Sequence, residues 1–553
     1  MKTIDRTFLV DGRMRTAPAI LFEAARAFPN ETRFEADGRS LTLADLAREV
    51  RSYAGWLRRI GVGPGDRVAL FAPNSVAWIA GGLGVQTLGA AFVGIHAGSS
   101  ADLVRYILAH SEARALLTTR CELARAGIAD PGVPVIYLDD PPPPLAAPEV
   151  GDLSSLDGMA CIIYTSGTTG RPKGVVLSHR NLAANAADWL QVCGPVLPDA
   201  PREVLWLPFS HIFGWGAACI GNLVGFRSRL AGPFEVPAAL AEVRPHVLMT
   251  VPILLERLVH AAGGDAETLS RLTGGRLRLC LAGGAALARE VKERFLDAGI
   301  PVLEGYGLTE TSPTLTLTCP DRAAEELETV GHPYPSVEIR VASDGEVLAR
   351  GPNVFSGYWR DPEATAKVID EAGWFHTGDI GRLTASGALR IVDRKNAVMV
   401  LSNGKNVAPQ PIEARAAAHP WIARLVLFGH GRPAVCGLVV PDTERISADL
   451  GRPVDLAAAG TDEEIRAGLG AALVALNAES SRYERIRAVR IATTPLTVEA
   501  GHLTASFKVR RRAVGAAFAG EIDLLFTLDR DGGPNLLLRE RTPEPIGTTG
   551  TKG

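Results

Sequence analysis

Short apolar runs separated by longer amphipathic stretches are the strongest constraint on this chain. Arg67 to Phe71 (RVALF), Ala115 to Leu117 (ALL) and Val135 to Leu138 (VIYL) are strand-sized, whereas Leu41 to Ile60 has helical periodicity. That alternation predicts an α/β protein with largely parallel sheets, because each crossover between parallel strands carries a helix. Val76 to Ile95 carries no charge, yet Gly81, Gly82, Gly84 and Gly89 interrupt it. It reads as a buried helix and strand rather than a membrane span, since glycine serves close packing.

A chain of 553 residues exceeds what one hydrophobic core usually spans, so at least two domains are expected. Beyond Asp393 the texture changes to strand-like Leu425 to Phe428 and Gly437 to Val440, helical Glu463 to Asn477 and strand-like Ala488 to Ile491, which predicts a small α+β domain. Pro141 to Pro144, with Pro148, form a stiff surface connector that cannot join a sheet ladder. The stretch from about Asp529 to Gly553 is rich in Pro, Gly, Thr and Arg and is expected to be poorly ordered.

A formal net charge of -3 supplies no global basic field for nucleic acid or an anionic membrane, so binding must be local. The seven cysteines are scattered without a CxxC pair, suggesting neither a disulfide framework nor a zinc site and fitting a reducing cytoplasm. Asp5, Arg6, Asp11, Arg13 and Arg15 break up the first thirty residues, unlike a secretory signal.

Cys161 to Gly174, CIIYTSGTTGRPKG, runs from an apolar strand into glycines and small hydroxyl residues and then a lysine. Gly167 and Gly170 let backbone N–H groups converge on an anion; Thr165, Ser166, Thr168 and Thr169 add hydroxyls, and Lys173 adds charge. This is not a Walker A loop, because Lys173 lies three residues after Gly170 and is followed by Gly174. Alone, such a loop is either a phosphate cradle or a surface turn.

The string resembles the phosphate-binding signature of the adenylate-forming superfamily, which includes acyl-CoA synthetases, luciferases and the adenylation domains of peptide synthetases. Further segments match in the same order, from roughly residue 20 to residue 515. Leu303 to Pro313, LEGYGLTETSP, resembles the second signature; the resemblance implies that Tyr306 stacks on adenine, Thr309 meets the α-phosphate and Glu310 binds magnesium. A flat ring suits a base, and a hard divalent ion prefers carboxylate and phosphate oxygens. Trp374 to Ile380, WFHTGDI, is similar to the segment whose aspartate holds ribose, which gives Asp379 that role, with Arg394 also at the sugar. Alone, either could be half of a surface salt bridge. Ala282 to Leu287, AGGAAL, resembles the adenine loop, where Gly283, Gly284 and Ala285 let the ligand approach the backbone.

Pro208 to Trp215, PFSHIFGW, is similar to the segment bordering the carboxylate pocket. The resemblance implies His211 as a pocket and candidate catalytic residue, with Phe213, Trp215, Val251, Pro252 and Gly307 near the acyl group. In Leu503 to Arg512, LTASFKVRRR, Lys508 stands where the family keeps the lysine that enables adenylation. A mobile ammonium between a carboxylate and an α-phosphate helps most in the transition state. Arg510, Arg511 and Arg512 are either solvated or partners for coenzyme A phosphates.

The resemblance thus implies a large N-terminal domain of mostly parallel sheets flanked by helices (1–392), a hinge (393–396), a small mobile α+β domain (397–525) and a tail (526–553). It implies ATP, Mg2+ and coenzyme A as reactants or cofactors, with Lys508 serving acyl-AMP formation and the loop Ser402 to Asn406 (SNGKN) facing the pocket in a later thiol step. Val400 to Glu413, Arg432 to Asp442 and Leu496 to Lys508 look most like the long-chain fatty acyl-CoA synthetase branch. Asn396, Ala286 and Ser336 depart from residues common in the family, and Trp215 gives the pocket a bulky wall suited to a short or aromatic acid. Other readings are activation of an unusual acid or of nitrite for diazotisation of an aryl amine, loading of a carrier protein, and a noncatalytic nucleotide-binding homologue.

Overall fold

Strands Arg67–Phe71, Ala91–Ile95 and Ala115–Thr118 are buried almost throughout, which is why they read as continuous apolar runs. The computed structural model that contains them describes residues 14–36, 39–140, 152–165, 171–395, 398–403, 405–478, 480–492, 494–503, 509–526 and 536–539. The connector Pro141 to Pro144 with Pro148, the hinge residue Asn396 and most of the tail lie outside the described residues.

The chain divides into two compact units, Met1–Thr377 with Gly381–Ile391, and Gly378–Ile380 with Val392–Gly553. In the larger unit, a seven-stranded sheet runs Gly357–Tyr358, Lys173–Ser178, Met159–Thr165, Ala91–Ile95, Arg67–Phe71, Ala115–Thr118, Val135–Tyr137 among the described residues. Its last five strands pair in parallel, and the first three pair antiparallel. A nine-stranded sheet has Arg202–Leu205, Val247–Thr250, Leu279–Ala282 and Val302–Tyr306 as parallel neighbours near its centre. Loops that follow parallel strands leave a sheet at the same edge, so the segments after Ala282, Tyr306, Thr250 and Leu205 gather there.

The chain between Leu41 and Ile60 is helical only over Leu43–Arg59, because Arg39–Thr42 pairs as a strand with Thr32–Ala36. The helix begins where the Thr42 hydroxyl accepts from Asp45 N–H while the Asp45 carboxylate accepts from Thr42 N–H. Val76 to Ile95 forms helix Val76–Thr87 and strand Ala91–Ile95, both buried. A β-carbon on Gly84 would lie 2.8 Å from Tyr53 Cβ and 3.0 Å from Val50 O, so glycine lets two helices meet at backbone distance. No helix among the described residues is long and apolar enough to cross a membrane.

Buried charges of the larger unit are hydrogen-bonded, as Arg33 and Asp188 show. Arg33 donates to Asn222 Oδ1 and Phe226 O, each at 2.7 Å, and faces Glu203 at 3.9 Å with Ser228 between them. Ser336, a departure from the family pattern, bonds the buried Asp188 carboxylate through its N–H and its hydroxyl.

The smaller unit has an antiparallel pair, Ile422–Phe428 with Val435–Pro441, extended in parallel by Ile486–Ile491. Helices Pro409–Ala417 and Glu463–Ala478 pack Ile412, Leu469 and Leu473 against this sheet. Within the stretch expected to be poorly ordered, Leu536–Arg539 pairs antiparallel with Ile486–Ile491.

His179 opens helix His179–Cys193 and is buried, its Nε2 without a partner among the described residues. Burial lowers its pKa to about 4, against roughly 6.5 in an unfolded chain. The unfolded state therefore takes up the proton first, and stability present above pH 6.5 is lost as pH falls towards 4. Urea melts at pH 7 and pH 5 should show the wild type losing about 2 kcal/mol more than His179→Phe.

Candidate active site

The glycine-rich string folds as a hairpin stem: Met159–Thr165 pairs antiparallel with Lys173–Ser178, with Thr165 opposite Lys173 and Tyr164 opposite Gly174. Ser166, Gly167, Thr168, Thr169 and Gly170 lie outside the described residues. A Walker A loop runs into a helix N-terminus, whereas the described chain after this loop runs into strand Lys173–Ser178. Helix Ala101–Ser111 clamps the stem on both sides. Tyr106 donates its hydroxyl to Pro172 O at 2.9 Å, His110 Nδ1 bonds the Tyr164 hydroxyl at 2.7 Å, and the Arg171 guanidinium lies 5.3 Å from the Tyr106 ring centre.

Tyr306 ends strand Val302–Tyr306, and the chain then turns tightly into the single turn Thr309–Thr311. Glycine is required at 307, because a β-carbon would lie 1.9 Å from Pro313 O. Thr311 Oγ1 accepts from Leu308 N–H at 2.9 Å, and Asn353 Nδ2 donates to Thr311 O at 3.0 Å and Thr314 O at 2.8 Å. These bonds leave Glu310 buried, with the Tyr358 hydroxyl donating to its Oε1 at 2.9 Å. The face of the same Tyr358 ring lies 4.9 Å from Lys173 Nζ, so the stem lysine and Glu310 meet around one side chain.

The AGGAAL segment follows strand Leu279–Ala282, with Gly283 buried and Gly284 and Ala285 exposed. A β-carbon on Gly283 would lie 3.4 Å from Phe213 Cε1, and one on Gly284 3.9 Å from Val251 Cγ1. Phe213, Val251 and the Gly283–Gly284 loop are therefore neighbours, with Pro252 opening helix Pro252–Ala261 beside Val251. The loop is tied to the Tyr306 strand by Glu304, which accepts from Leu287 N–H at 3.2 Å and pairs with buried Lys292.

His211 sits immediately before helix Ile212–Val224, its ring centre 5.3 Å from that of His96, whose Nδ1 bonds Ser210 Oγ at 3.2 Å. Burial lowers the His96 pKa, opposed by the nearby Glu122 carboxylate. Trp215 is packed within the core, 4.7 Å from the Phe92 ring centre and 5.6 Å from that of Trp78.

In the smaller unit, Arg394 Nε meets Asp379 Oδ1 at 2.8 Å, and Asp379 is buried. The Asp393 carboxyl accepts from Arg394 N–H at 2.6 Å and Gln410 N–H at 3.0 Å, and burial raises its pKa. Arg511 is half-buried, with both oxygens of Glu413 and the Leu427 carbonyl holding its guanidinium. Ser402 and Lys405 lie in the turn between Met399–Val400 and Asn406–Val407, whereas Gly404 and Lys508 lie outside the described residues. Tyr358, Asn353, Tyr106, His110 and His96 were not legible from motifs. Tyr358 falls in the short string SGYW, and nothing local ties it to a glutamate 48 residues away.

A family profile described as AMP-binding enzyme matches residues 21–359, and one described as AMP-binding enzyme C-terminal domain matches residues 396–529. Long-chain-fatty-acid–CoA ligase FadD15 of Mycobacterium bovis is 31% identical over 93% of this chain and 98% of its own. Feruloyl-CoA synthase of an Amycolatopsis species is 32% identical over 77% and 89%. Among solved structures, ATP-bound MatB from Rhodopseudomonas palustris matches with a TM-score of 0.74 at 25% identity, covering 92% of this chain and 99% of that one.

Asn353→Asp should destabilise the larger unit more than Asn353→Ala, because a carboxylate would face two carbonyls where the amide donates to both. Urea unfolding should give losses of about 2 kcal/mol for alanine and about 4 kcal/mol for aspartate.

Proposed function

We propose, from the premise that this chain belongs to the AMP-binding enzyme family and to its acid–CoA ligases, that it activates a compact carboxylic acid with ATP and transfers the acyl group to coenzyme A. The observation that carries this reading is the meeting, at strand ends of the larger unit, of Lys173 with Glu310 around Tyr358 and of Phe213 with Gly283.

In the first step a carboxylate oxygen attacks the α-phosphorus of ATP, forming acyl-AMP and expelling pyrophosphate. Thr165, the 166–170 loop and Lys173 hold phosphate oxygens, and Thr309 meets the α-phosphate. Tyr306 supports adenine beside Gly283, Gly284 and Ala285, while Asp379 accepts from ribose hydroxyls and Arg394 fixes that carboxylate. Lys508 steadies the two anions as they approach. Among the described residues no group of three or more His, Cys, Asp and Glu could form a metal cage, whereas the buried Glu310 carboxylate suits magnesium, which shares few carboxylates with substrate phosphates. Bound there, magnesium would neutralise phosphate charge. In the second step a thiolate attacks the acyl carbon and AMP leaves.

Trp215, on the helix that follows His211, packs its bulk against Phe92 and Trp78, which supports a compact or aromatic acid over an extended chain. His211, Phe213, Val251, Pro252 and Gly307 then surround the acyl group.

Pyrophosphate release across fatty acids, aromatic acids and nitrite, with product masses taken with and without coenzyme A, should single out an aromatic or short acid and a CoA thioester. Release with nitrite alone, or a thioester only on a carrier protein, would refute this reading. Lys508→Ala should lower acyl-AMP formation at least a hundredfold yet leave thiolysis of supplied acyl-AMP within a few-fold, whereas equal loss of both steps would remove the role given to Lys508.

A further inference from the structure

We propose that Tyr358 is a positioning residue of the adenylation site, holding the Glu310 carboxylate and the Lys173 ammonium in place through one neutral side chain. This rests on the reading of Glu310 as the magnesium ligand and Lys173 as a phosphate contact. The Tyr358 hydroxyl donates to Glu310 Oε1 at 2.9 Å, and Lys173 Nζ lies 4.9 Å from its ring centre, within the range where an aromatic face attracts a cation. The two charges come from different sheets, since Lys173 opens a strand of the seven-stranded sheet and Glu310 follows a strand of the nine-stranded one.

A lysine bonded directly to Glu310 would cancel its charge and compete with a metal ion for the carboxylate. A phenol instead orients one oxygen by a hydrogen bond and brings no charge of its own to the site. Tyr358 is itself fixed. It pairs with Val175 in the sheet, and its N–H donates to Thr365 Oγ1 at 2.9 Å. The next residue, Trp359, donates its N–H to Gly174 O at 2.7 Å and its indole N–H to His110 O at 3.1 Å. The ring is thus anchored to the same stem that carries Lys173, and an oriented carboxylate binds a metal without first losing rotational freedom.

Calorimetric titration of ATP into the protein, with magnesium and with EDTA, tests this apart from turnover. Tyr358→Phe keeps the ring and its volume but loses the hydroxyl. Its affinity in EDTA should equal that of the wild type, while the gain in affinity on adding magnesium should fall about tenfold. Tyr358→Leu, lacking the aromatic face, should also weaken binding in EDTA by a few-fold. In a Glu310→Gln background, Tyr358→Phe should have no further effect on the magnesium gain. A magnesium gain that survives Tyr358→Phe, or losses from the two substitutions that add in full, would overturn the positioning role. A wild type that binds ATP without any magnesium gain would instead refute the metal role of Glu310, and this role with it.

Discussion

The stretch from Asn353 to Trp359 is the constraint on which the arrangement of the larger unit's candidate site depends. Asn353 donates to the carbonyls of Thr311 and Thr314, which belong to the turn after the Tyr306 strand of the nine-stranded sheet. A few residues later Gly357–Tyr358 adds an edge strand to the hairpin of the seven-stranded sheet, and Asn181 ties the stretch down by donating to Pro352 O and Val354 O. A short extended segment therefore fixes the spacing between two loops that come from different sheets. Because its bonds are buried, breaking one strands a carbonyl or an amide without water, and the geometry resists drift.

Burial of charge follows the same logic elsewhere. Arg33 with Glu203, Lys292 with Glu304 and Arg511 with Glu413 are each paired and further bonded to carbonyls or hydroxyls, as groups removed from water must be. The Lys292 and Glu304 pair couples the loop after Ala282 to the strand that ends at Tyr306, so a buried ion pair sets the spacing of two segments at the sheet's edge. Glu310, by contrast, accepts from a neutral phenol, the Tyr358 hydroxyl.

Much of the fold was readable because its causes are local. The runs at Arg67–Phe71 and Ala115–Thr118 are apolar since both faces of a covered parallel sheet are buried, and helix Leu43–Arg59 announces itself by period and cap. What was misread had non-local causes. Leu41 and Thr42 belong to a strand because a partner strand lies beside them, and Arg511 pairs with Glu413, 98 residues away.

By itself the sequence determined the chemistry on offer: a glycine and hydroxyl loop with a lysine, a tyrosine and glutamate in LEGYGLTETSP, an aspartate in WFHTGDI and a lysine in LTASFKVRRR, each set by residue type and spacing along the chain. Only the tertiary structure decided which of these meet. Tyr358 between Lys173 and Glu310, Phe213 against Gly283 and His96 beside His211 are contacts between residues far apart in sequence. Such contacts arise from strand order and burial across whole sheets, which no local pattern encodes.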